Sequence, residues 1–212
     1  MGRARFLTDA QGVRLPSVTA ILNATKPPED REALARWRDR VGSQEATRIA
    51  TAASRRGSQT HKHLCHYLRG EPRECPELVK PYWESLASVL AELGDVQIVE
   101  EKVFHYDLAY AGQVDCVASY RGQPCVVDWK TADAPKQSVE RLYDGPLQLA
   151  AYCGAVNHAF PQLGAELNQA MLVVAVPHQP AEVFWFEPEA LSAYWAQWQR
   201  RVDQYYGYRR WR

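Results

Sequence analysis

Residues 112–131 read GQVDCVASYRGQPCVVDWKT, and this stretch decides the fold class. Two Val-rich runs lie on either side of Arg121-Gly122-Gln123, and each has the composition of a β-strand bounded by a turn. Residues 114–118 are apolar except for Asp115, and the apolar residues 125–127 lead directly to Asp128. Because consecutive strands joined by a short turn pair as a hairpin, we expect the two carboxylates to lie side by side.

Asp128 and Lys130 are two positions apart, so their side chains project from the same face of the second strand, whereas Trp129 projects into packing on the other. Carboxylates that face one space repel each other and stay ionised most easily with a divalent cation between them. Oxygen ligands of this kind favour Mg²⁺ or Mn²⁺. A lysine beside them suits holding an attacking water or neutralising charge on a phosphate. The alternative is a surface Asp–Lys ion pair, against which the apolar surroundings argue.

Around this hairpin the chain has the pattern of a mixed α/β fold, predicted as a single domain over residues 1–212. Residues 1–94 are expected to be mainly helical, and residues 95–212 to form an α/β core that the preceding helix completes. Gly94 is expected to end the last helix of the first part. The expected elements are a hairpin over 4–15, helices over 18–25, 29–40, 43–68, 77–93, 138–158 and 188–206, and strands over 96–105, 110–120, 124–130, 169–176 and 182–186.

Charge alone does not point to a nucleic-acid partner, because 25 basic residues balance 25 acidic ones. The charge is unevenly spread, however. Residues 31–62 and 200–212 are predominantly basic, and residues 71–101 are predominantly acidic. This segregation is compatible with a basic groove on a neutral protein, and equally with ordinary solvated helix faces.

The odd number of cysteines, five without a CxxC pair, indicates reduced thiols and a reducing compartment, and we expect the cytoplasm. No apolar run approaches the roughly 18 residues that a membrane-spanning helix needs. The opening MGRARFLTDA is not expected to be a targeting segment, because Asp9 interrupts it early.

Five motifs occur along the chain in a fixed order. They are G-x(3)-H ending at His61, a glutamate in the first core strand, G-x-V-D ending at Asp115, D-W-K over 128–130, and Q-x(3)-Y from Gln148 to Tyr152. This order resembles the RecB-like branch of the PD-(D/E)XK nucleases. Over residues 111–158 the sequence is similar to the mitochondrial genome maintenance exonucleases, which are single-strand DNA exonucleases with bacterial and phage relatives.

The resemblance implies a restriction-endonuclease-like core, with a mixed central sheet flanked by helices and a helical N-terminal arch. It implies that Asp115 and Asp128 bind the catalytic metal, and that His61 and the backbone carbonyl of Trp129 are further ligands. Lys130 would position or activate the water.

The resemblance leaves the strand acid open between Glu100 and Glu101, and the spacing to Gly112 favours Glu100. It also implies that Gln148 takes part in catalysis, and that Gln148 and Tyr152 hold the DNA backbone near the scissile phosphate.

Three further residues are candidate contacts to nucleic acid by their position alone. Arg56 lies in the basic helical region and is either a phosphate contact or a plain solvated charge. Thr131 and Lys136 follow the D-W-K strand and are candidate contacts to the DNA backbone.

The predicted activity is metal-dependent hydrolysis of single-stranded DNA, or of DNA with single-stranded ends or flaps. The helical arch would pass a single strand and bind it by phosphate contacts and base stacking. An enzyme that threads an end is an exonuclease, and this preference comes from the resemblance. The alternatives are a structure-specific endonuclease of the same superfamily and a catalytically silent nucleic-acid-binding protein. We expect a monomer.

Overall fold

The computed structural model of the chain describes residues 6–161 and 166–210, and it gives the last three of these by their backbone alone. Within this part the strands are β1 (Phe6–Thr8), β2 (Arg14–Pro16), β3 (Leu93–His105), β4 (Tyr110–Tyr120), β5 (Gln123–Thr131), β6 (Ala170–Ala175) and β7 (Glu182–Phe186). The helices are α1 (Val18–Ala24), α2 (Pro28–Val41), α3 (Ser43–Leu68), α4 (Lys80–Ala91), α5 (Gly145–Ala159) and α6 (Pro188–Arg210). Their order along the chain is the predicted one.

The N-terminal hairpin of β1 and β2 is antiparallel, and Asp9 holds its turn. The Asp9 Oδ1 accepts hydrogen bonds from the N–H groups of Gln11 at 2.9 Å and of Val13 at 2.8 Å. The predicted hairpin is confirmed, except that its residues 4 and 5 lie outside the described residues. Ser17 then caps α1, because its hydroxyl accepts a hydrogen bond from the N–H of Ala20 at 3.1 Å.

The two long helices of the N-terminal part, α2 and α3, meet at Gly42. α2 begins at Pro28, a residue suited to a first helical turn, and it buries no side chain. Gly42 has a φ of 84°, which glycine adopts without strain, and it separates the helices as predicted. α3 buries one face, which includes Thr60 and Leu64.

The helix predicted over 77–93 is shorter than expected, and its predicted stop at Gly94 is wrong. α4 ends at Ala91, and Leu93 and Gly94 are already paired with the end of β4. Gly94 also lacks the positive φ of a C-terminal glycine stop. The helix therefore ends because the chain joins the sheet at once.

Five strands form a mixed sheet in the order β3-β4-β5-β6-β7. The pair β5–β6 is parallel, and the other three pairs are antiparallel. Since side chains alternate along a strand, Val126 packs toward α1, α5 and α6 on one face, and Val127 packs toward α3 and α4 on the other. This mixed sheet, flanked by helices and preceded by a helical N-terminal part, confirms the predicted fold class.

The helix predicted over 138–158 is divided in two. A 3₁₀ turn covers Val139–Leu142, and α5 begins only at Gly145. Tyr143 lies between them with a φ of 53°, which breaks the helical path. Pro146 lies in the first turn of α5 and lacks the N–H group that a continuous helix would need there. The proline therefore sets where α5 starts.

The last helix, α6, closes the core beside α5. Its Trp198 and Tyr205 are buried, as the helical spacing of the C-terminal aromatic residues predicts. None of the helices in the described ranges is both long and apolar enough to cross a membrane.

Candidate active site

The hairpin of β4 and β5 brings Asp115 and Asp128 to the point where strand pairing stops. The described ladder ends with Cys116 opposite Val127. One position further on, Asp115 Oδ2 accepts a hydrogen bond from the Trp129 N–H at 3.0 Å, so the carboxylate replaces a ladder bond. Both acids are buried, Asp115 with 3% and Asp128 with 0% exposure. Buried carboxylates are costly unless charged or hydrogen-bonding groups surround them, so this pair requires a polar site.

Lys130 lies beside Asp128, as the alternation along β5 predicts. Its Nζ forms an ion pair with Asp128 Oδ2, and 32% of its side chain remains exposed. The Trp129 ring, by contrast, is buried in the cluster on the other face of the sheet. Lys130 therefore lies between the buried carboxylate of Asp128 and the solvent-accessible side of the site.

His61 enters the site from α3 and contacts three groups of the sheet. Its Nε2 donates to the backbone carbonyl of Trp129 at 2.8 Å. Its Nδ1 lies 3.3 Å from Glu100 Oε1 and 3.6 Å from Asp115 Oδ1. Burial lowers the pKa of His61, but the charge of Asp115 and the contact with Glu100 raise it more, so the pKa lies above the ordinary histidine value. The oxygens around His61 thus favour positive charge.

Glu100, and not Glu101, belongs to this group. Glu100 has a φ of 53°, a left-handed conformation in the middle of β3, and it interrupts the pairing with β4. Its Oε2 accepts a hydrogen bond from Gln113 Nε2 at 2.6 Å, whereas Glu101 is exposed. Ligand atoms of His61, Glu100 and Asp115 lie within 4.8 Å of one another, a spacing that suits a metal ion.

Gln148 and Tyr152 extend the site along α5, four positions apart and on one face of the helix. Lys130 Nζ donates to Gln148 Oε1 at 3.1 Å, and Gln148 Nε2 donates to the Tyr152 hydroxyl at 2.7 Å. Both side chains are buried, Gln148 with 8% and Tyr152 with 2% exposure. Gln148 therefore faces Lys130, and the Tyr152 hydroxyl faces Gln148, whereas the resemblance implies that both residues hold the DNA backbone.

The three residues predicted from position alone lie apart from this group. Arg56 is buried, and its guanidinium donates to Thr131 Oγ1 at 3.3 Å and to Asp133 Oδ1 at 2.5 Å. Arg56 and Thr131 thus bond to each other and fasten α3 to the end of β5. The Lys136 Nζ lies 5.9 Å from the centre of the Tyr143 ring. Contacts of Arg56, Thr131 and Lys136 with nucleic acid remain predictions. The hydrogen bonds that Arg56 makes within the protein do not favour a contact between this residue and nucleic acid.

An open cavity of about 820 Å³ leads from the site between α3 on one side and the N-terminal hairpin and α1 on the other. Its lining includes polar and basic side chains that were not predicted from the sequence: Ser54, Ser58 and Lys62 of α3, and Arg69 just after its end. The spacing of four residues between Ser54, Ser58 and Lys62 was a signal in the sequence. Gln113, which contacts Glu100, was also missed.

A second group of possible metal ligands, His105, Asp107 and His158, lies away from this site. Here Nδ1 of His105 accepts from the Leu108 N–H, and Nε2 of His158 accepts from the Tyr106 N–H, both at 3.3 Å. Each ring thus uses its lone pair on the backbone, so the nitrogen that remains carries hydrogen when the ring is neutral. This group does not fit a metal site in the present arrangement.

Comparison with known proteins places these residues in a family. Residues 19–212 match the model of the PD-(D/E)XK nuclease superfamily. Mitochondrial genome maintenance exonuclease 1 is 38% identical to the chain over 199 residues in Mus musculus and 32% identical over 200 residues in Homo sapiens. Each alignment covers 90% of this chain, but only 59% and 58% of the relative.

A solved structure of a candidate exonuclease from Eubacterium rectale is also similar, at 13% sequence identity and a TM-score of 0.43, over 72% of this chain and 68% of that one. This likeness is too weak to carry an argument. The family match instead covers most of the chain, and the curated relatives support it. The chain therefore belongs to the PD-(D/E)XK nuclease superfamily.

Proposed function

We propose that this protein is a metal-dependent exonuclease that hydrolyses the phosphodiester bonds of single-stranded DNA, or of single-stranded ends and flaps. One observation carries the proposal: His61, Glu100 and Asp115 converge beside the Asp128–Lys130 pair at the mouth of an open cavity. The curated relatives are named exonucleases, which supports this mode of action over internal cutting.

The donor set fits a hard divalent cation, Mg²⁺ or Mn²⁺. The residues that would hold it are His61, Asp115, Asp128, the Trp129 carbonyl and Glu100, and oxygen is the main donor among them. The same oxygens raise the pKa of His61, which supports a preference for positive charge in this space. When bound, such a cation supplies an activated water and neutralises charge on the phosphate.

Lys130 provides the protein's own chemistry in this proposal, with Gln148 hydrogen-bonded to its ammonium. The Lys130 ammonium can hold a water near the phosphate or neutralise its charge, since part of the side chain is exposed. Asp128 keeps this ammonium close to the carboxylates. Intact acids and an intact lysine argue against the alternative of a catalytically silent DNA-binding protein.

A single strand is the substrate that the surroundings of the site support. Lys62 of α3 and Arg69, just after the end of α3, give the cavity basic side chains, while the chain as a whole carries no net charge. Phosphate contacts in a groove bind a strand without reading its sequence. A second cavity lies between α2 and α3, is lined by Trp37, Arg38 and Arg55, and shares Ser54 and Ser58 with the first. Its aromatic and basic side chains suit stacking on bases and contact with phosphates.

The experiment compares labelled linear and covalently circular single strands in Mg²⁺ or Mn²⁺. We expect the linear strand to be degraded and the circle to stay intact. Cleavage of circles would overturn the exonuclease proposal and favour a structure-specific endonuclease. Retained binding without cleavage of either strand would favour the silent binder.

The proposal extends to the state and location of the protein. We propose that it acts as a monomer, and the reduced state expected for its five cysteines supports a reducing compartment such as the cytoplasm. Size-exclusion chromatography with light scattering measures the oligomeric state directly, and the mass of a dimer would contradict the proposed monomer.

A further inference from the structure

Three side chains form a chain of hydrogen bonds that ends at Lys130. The lysine can only donate, so the Gln148 amide must turn its oxygen toward Nζ, 3.1 Å away. The amide nitrogen then faces the Tyr152 hydroxyl at 2.7 Å, which fixes that oxygen as an acceptor. The orientation of the tyrosine thus sets the orientation of the amide, and the amide sets the position of the ammonium.

Gly112 makes room for the tyrosine at the far end of this chain. A Cβ built at Gly112 would lie 2.6 Å from Cε1 and 2.9 Å from Cδ1 of Tyr152, closer than real Cβ contacts allow. Gly112 has no positive φ, so its backbone does not require glycine. The absence of a side chain at Gly112 therefore serves the contact with the ring.

Burial separates this role from contact with DNA. Tyr152 is 2% and Gln148 8% exposed, and the described hydrogen bonds of the amide use its oxygen and its nitrogen. A group that binds the phosphate backbone needs polar atoms that face the cavity. Tyr152 is among the residues that line the cavity, but its hydroxyl accepts from Gln148 Nε2, and the Gln148 oxygen accepts from Lys130 Nζ. These polar atoms therefore belong to the hydrogen-bond chain that ends at Lys130.

We propose that Gly112, Tyr152 and Gln148 are positioning residues that hold the Lys130 ammonium in the site, and that they do not bind the DNA backbone. The inference rests on the proposed function, in which Lys130 acts on the reacting groups. It also links two motifs, since the glycine of G-x-V-D accommodates the tyrosine of Q-x(3)-Y.

Tyr152→Phe tests the hydrogen bond with little change in volume. Without its acceptor the Gln148 amide loses its fixed orientation, so kcat should fall about 10- to 100-fold, as for other groups that orient a reacting side chain. KM, and the Kd for a single-stranded oligonucleotide in EDTA, should stay unchanged, with the same dependence on salt. Tyr110→Phe is the matched control, because it removes another buried hydroxyl, which donates to the Ala151 carbonyl. Its kcat should equal that of the wild type.

Gly112→Ala tests the packing of the Tyr152 ring against Gly112. Its Cβ displaces Tyr152, so we expect the same fall in kcat at unchanged Kd. Gly94→Ala is the control, since a Cβ at Gly94 meets nothing within 4 Å, and it should keep wild-type kcat.

A readout without DNA separates this inference from the proposed function. The ¹⁵N resonance of the Lys130 ammonium, assigned with Lys130→Arg, should shift in Tyr152→Phe and Gly112→Ala but not in Tyr110→Phe. If Tyr152→Phe instead weakens DNA binding, lowers its salt dependence, and leaves the resonance and kcat in place, the residue is a DNA contact and the inference is wrong. A wild-type protein that cuts no DNA would refute the proposed function, and the resonance would still decide the positioning.

Discussion

At the residue scale, the site depends on the ion pair between Lys130 and Asp128, whose charge is buried in the sheet. Asp128 has no exposed surface, and Lys130 is the cation beside it. Removing one residue of a buried ion pair leaves the charge of the other uncompensated, which lowers stability. Neutralising the acid instead removes the cost of burying its charge. The two residues should therefore contribute differently to stability, although the proposed function assigns both to the reaction.

Asp128→Asn and Lys130→Ala should both abolish cleavage but differ in stability. Asp128→Asn keeps the shape and removes the buried charge, so its free energy of unfolding should match or exceed that of the wild type. Lys130→Ala leaves the carboxylate without its lysine and should lose about 1 to 3 kcal/mol. Urea unfolding and a nuclease assay check both, with unchanged circular dichroism as the control for folding. Near-normal activity in either variant would show that the site is wrongly assigned.

Much of the site could be predicted from the sequence, because side chains alternate regularly along β5, although not in β4, where Val114 and Val117 lie in the same cluster. Asp115, Asp128 and Lys130 follow from two strand patterns and one turn. Glu100 could be preferred only by spacing, since its positive φ, which turns it toward His61, leaves no mark in the sequence. The internal bonds of Arg56 were not predictable, because a basic residue in a polar helix has no pattern that separates a buried arginine from an exposed one.

At the element scale, α3 must stay fixed to the sheet for His61 to reach its partners. Arg56 lies five residues before His61 and bonds to Thr131, the last residue of β5, and to Asp133, which follows the strand. Its guanidinium also lies 5.1 Å from the centre of the Tyr82 ring of α4. These contacts tie α3, the sheet and α4 together on one side of the site.

Arg56→Lys should loosen this attachment, because a lysine cannot reproduce the forked contact to two oxygens. We expect a lower Tm and Mn²⁺ binding weakened about 10-fold, as for the loss of a group that orients a metal ligand. Thermal unfolding and calorimetric titration with Mn²⁺ measure the two effects. Arg55→Lys is the control, since Arg55 is exposed. Equal Mn²⁺ affinity in Arg56→Lys and the wild type would contradict this role.

The elements themselves were predictable where the pattern was periodic and less so at their ends. The five core strands and the long helices follow from hydrophobic spacing and from turn residues such as Gly42 and Gly122. The ends of α4 and α5 did not. A tertiary contact ends α4, because Leu93 already pairs with β4, whereas α5 starts late for a local reason, the break at Tyr143 followed by Pro146.

At the scale of the whole molecule, the packing of α5 and α6 on the end of β3 buries a histidine. Burial and the neighbouring His158 lower the pKa of His105 to about 4, against the opposing charge of Asp107. The ring also stacks on Trp195 of α6 and contacts Tyr110 of β4. The fold therefore favours the neutral form of His105.

The free energy of unfolding should consequently fall in acid because of His105. Between the ordinary pKa of 6.5 and about 4, the unfolded chain binds a proton that the folded chain does not, so unfolding becomes easier as pH falls through this window. Relative to pH 7, the loss at pH 5 should be on the order of 1 to 2 kcal/mol. Urea unfolding of the wild type and of His105→Asn at several pH values isolates the contribution of His105. The asparagine keeps an acceptor for the Leu108 N–H. Parallel pH profiles of the two proteins would contradict the assignment.

In the proposed function, the cluster at Asp115 holds the catalytic metal. The most direct test is the initial rate of cleavage of a labelled linear single strand as Mn²⁺ is raised from zero, for the wild type and Asp115→Asn. We predict a rate that saturates with Mn²⁺ and is absent in EDTA for the wild type, and no cleavage by Asp115→Asn at any Mn²⁺ concentration. Cleavage that persists in EDTA, or near-normal rates from Asp115→Asn, would contradict the account.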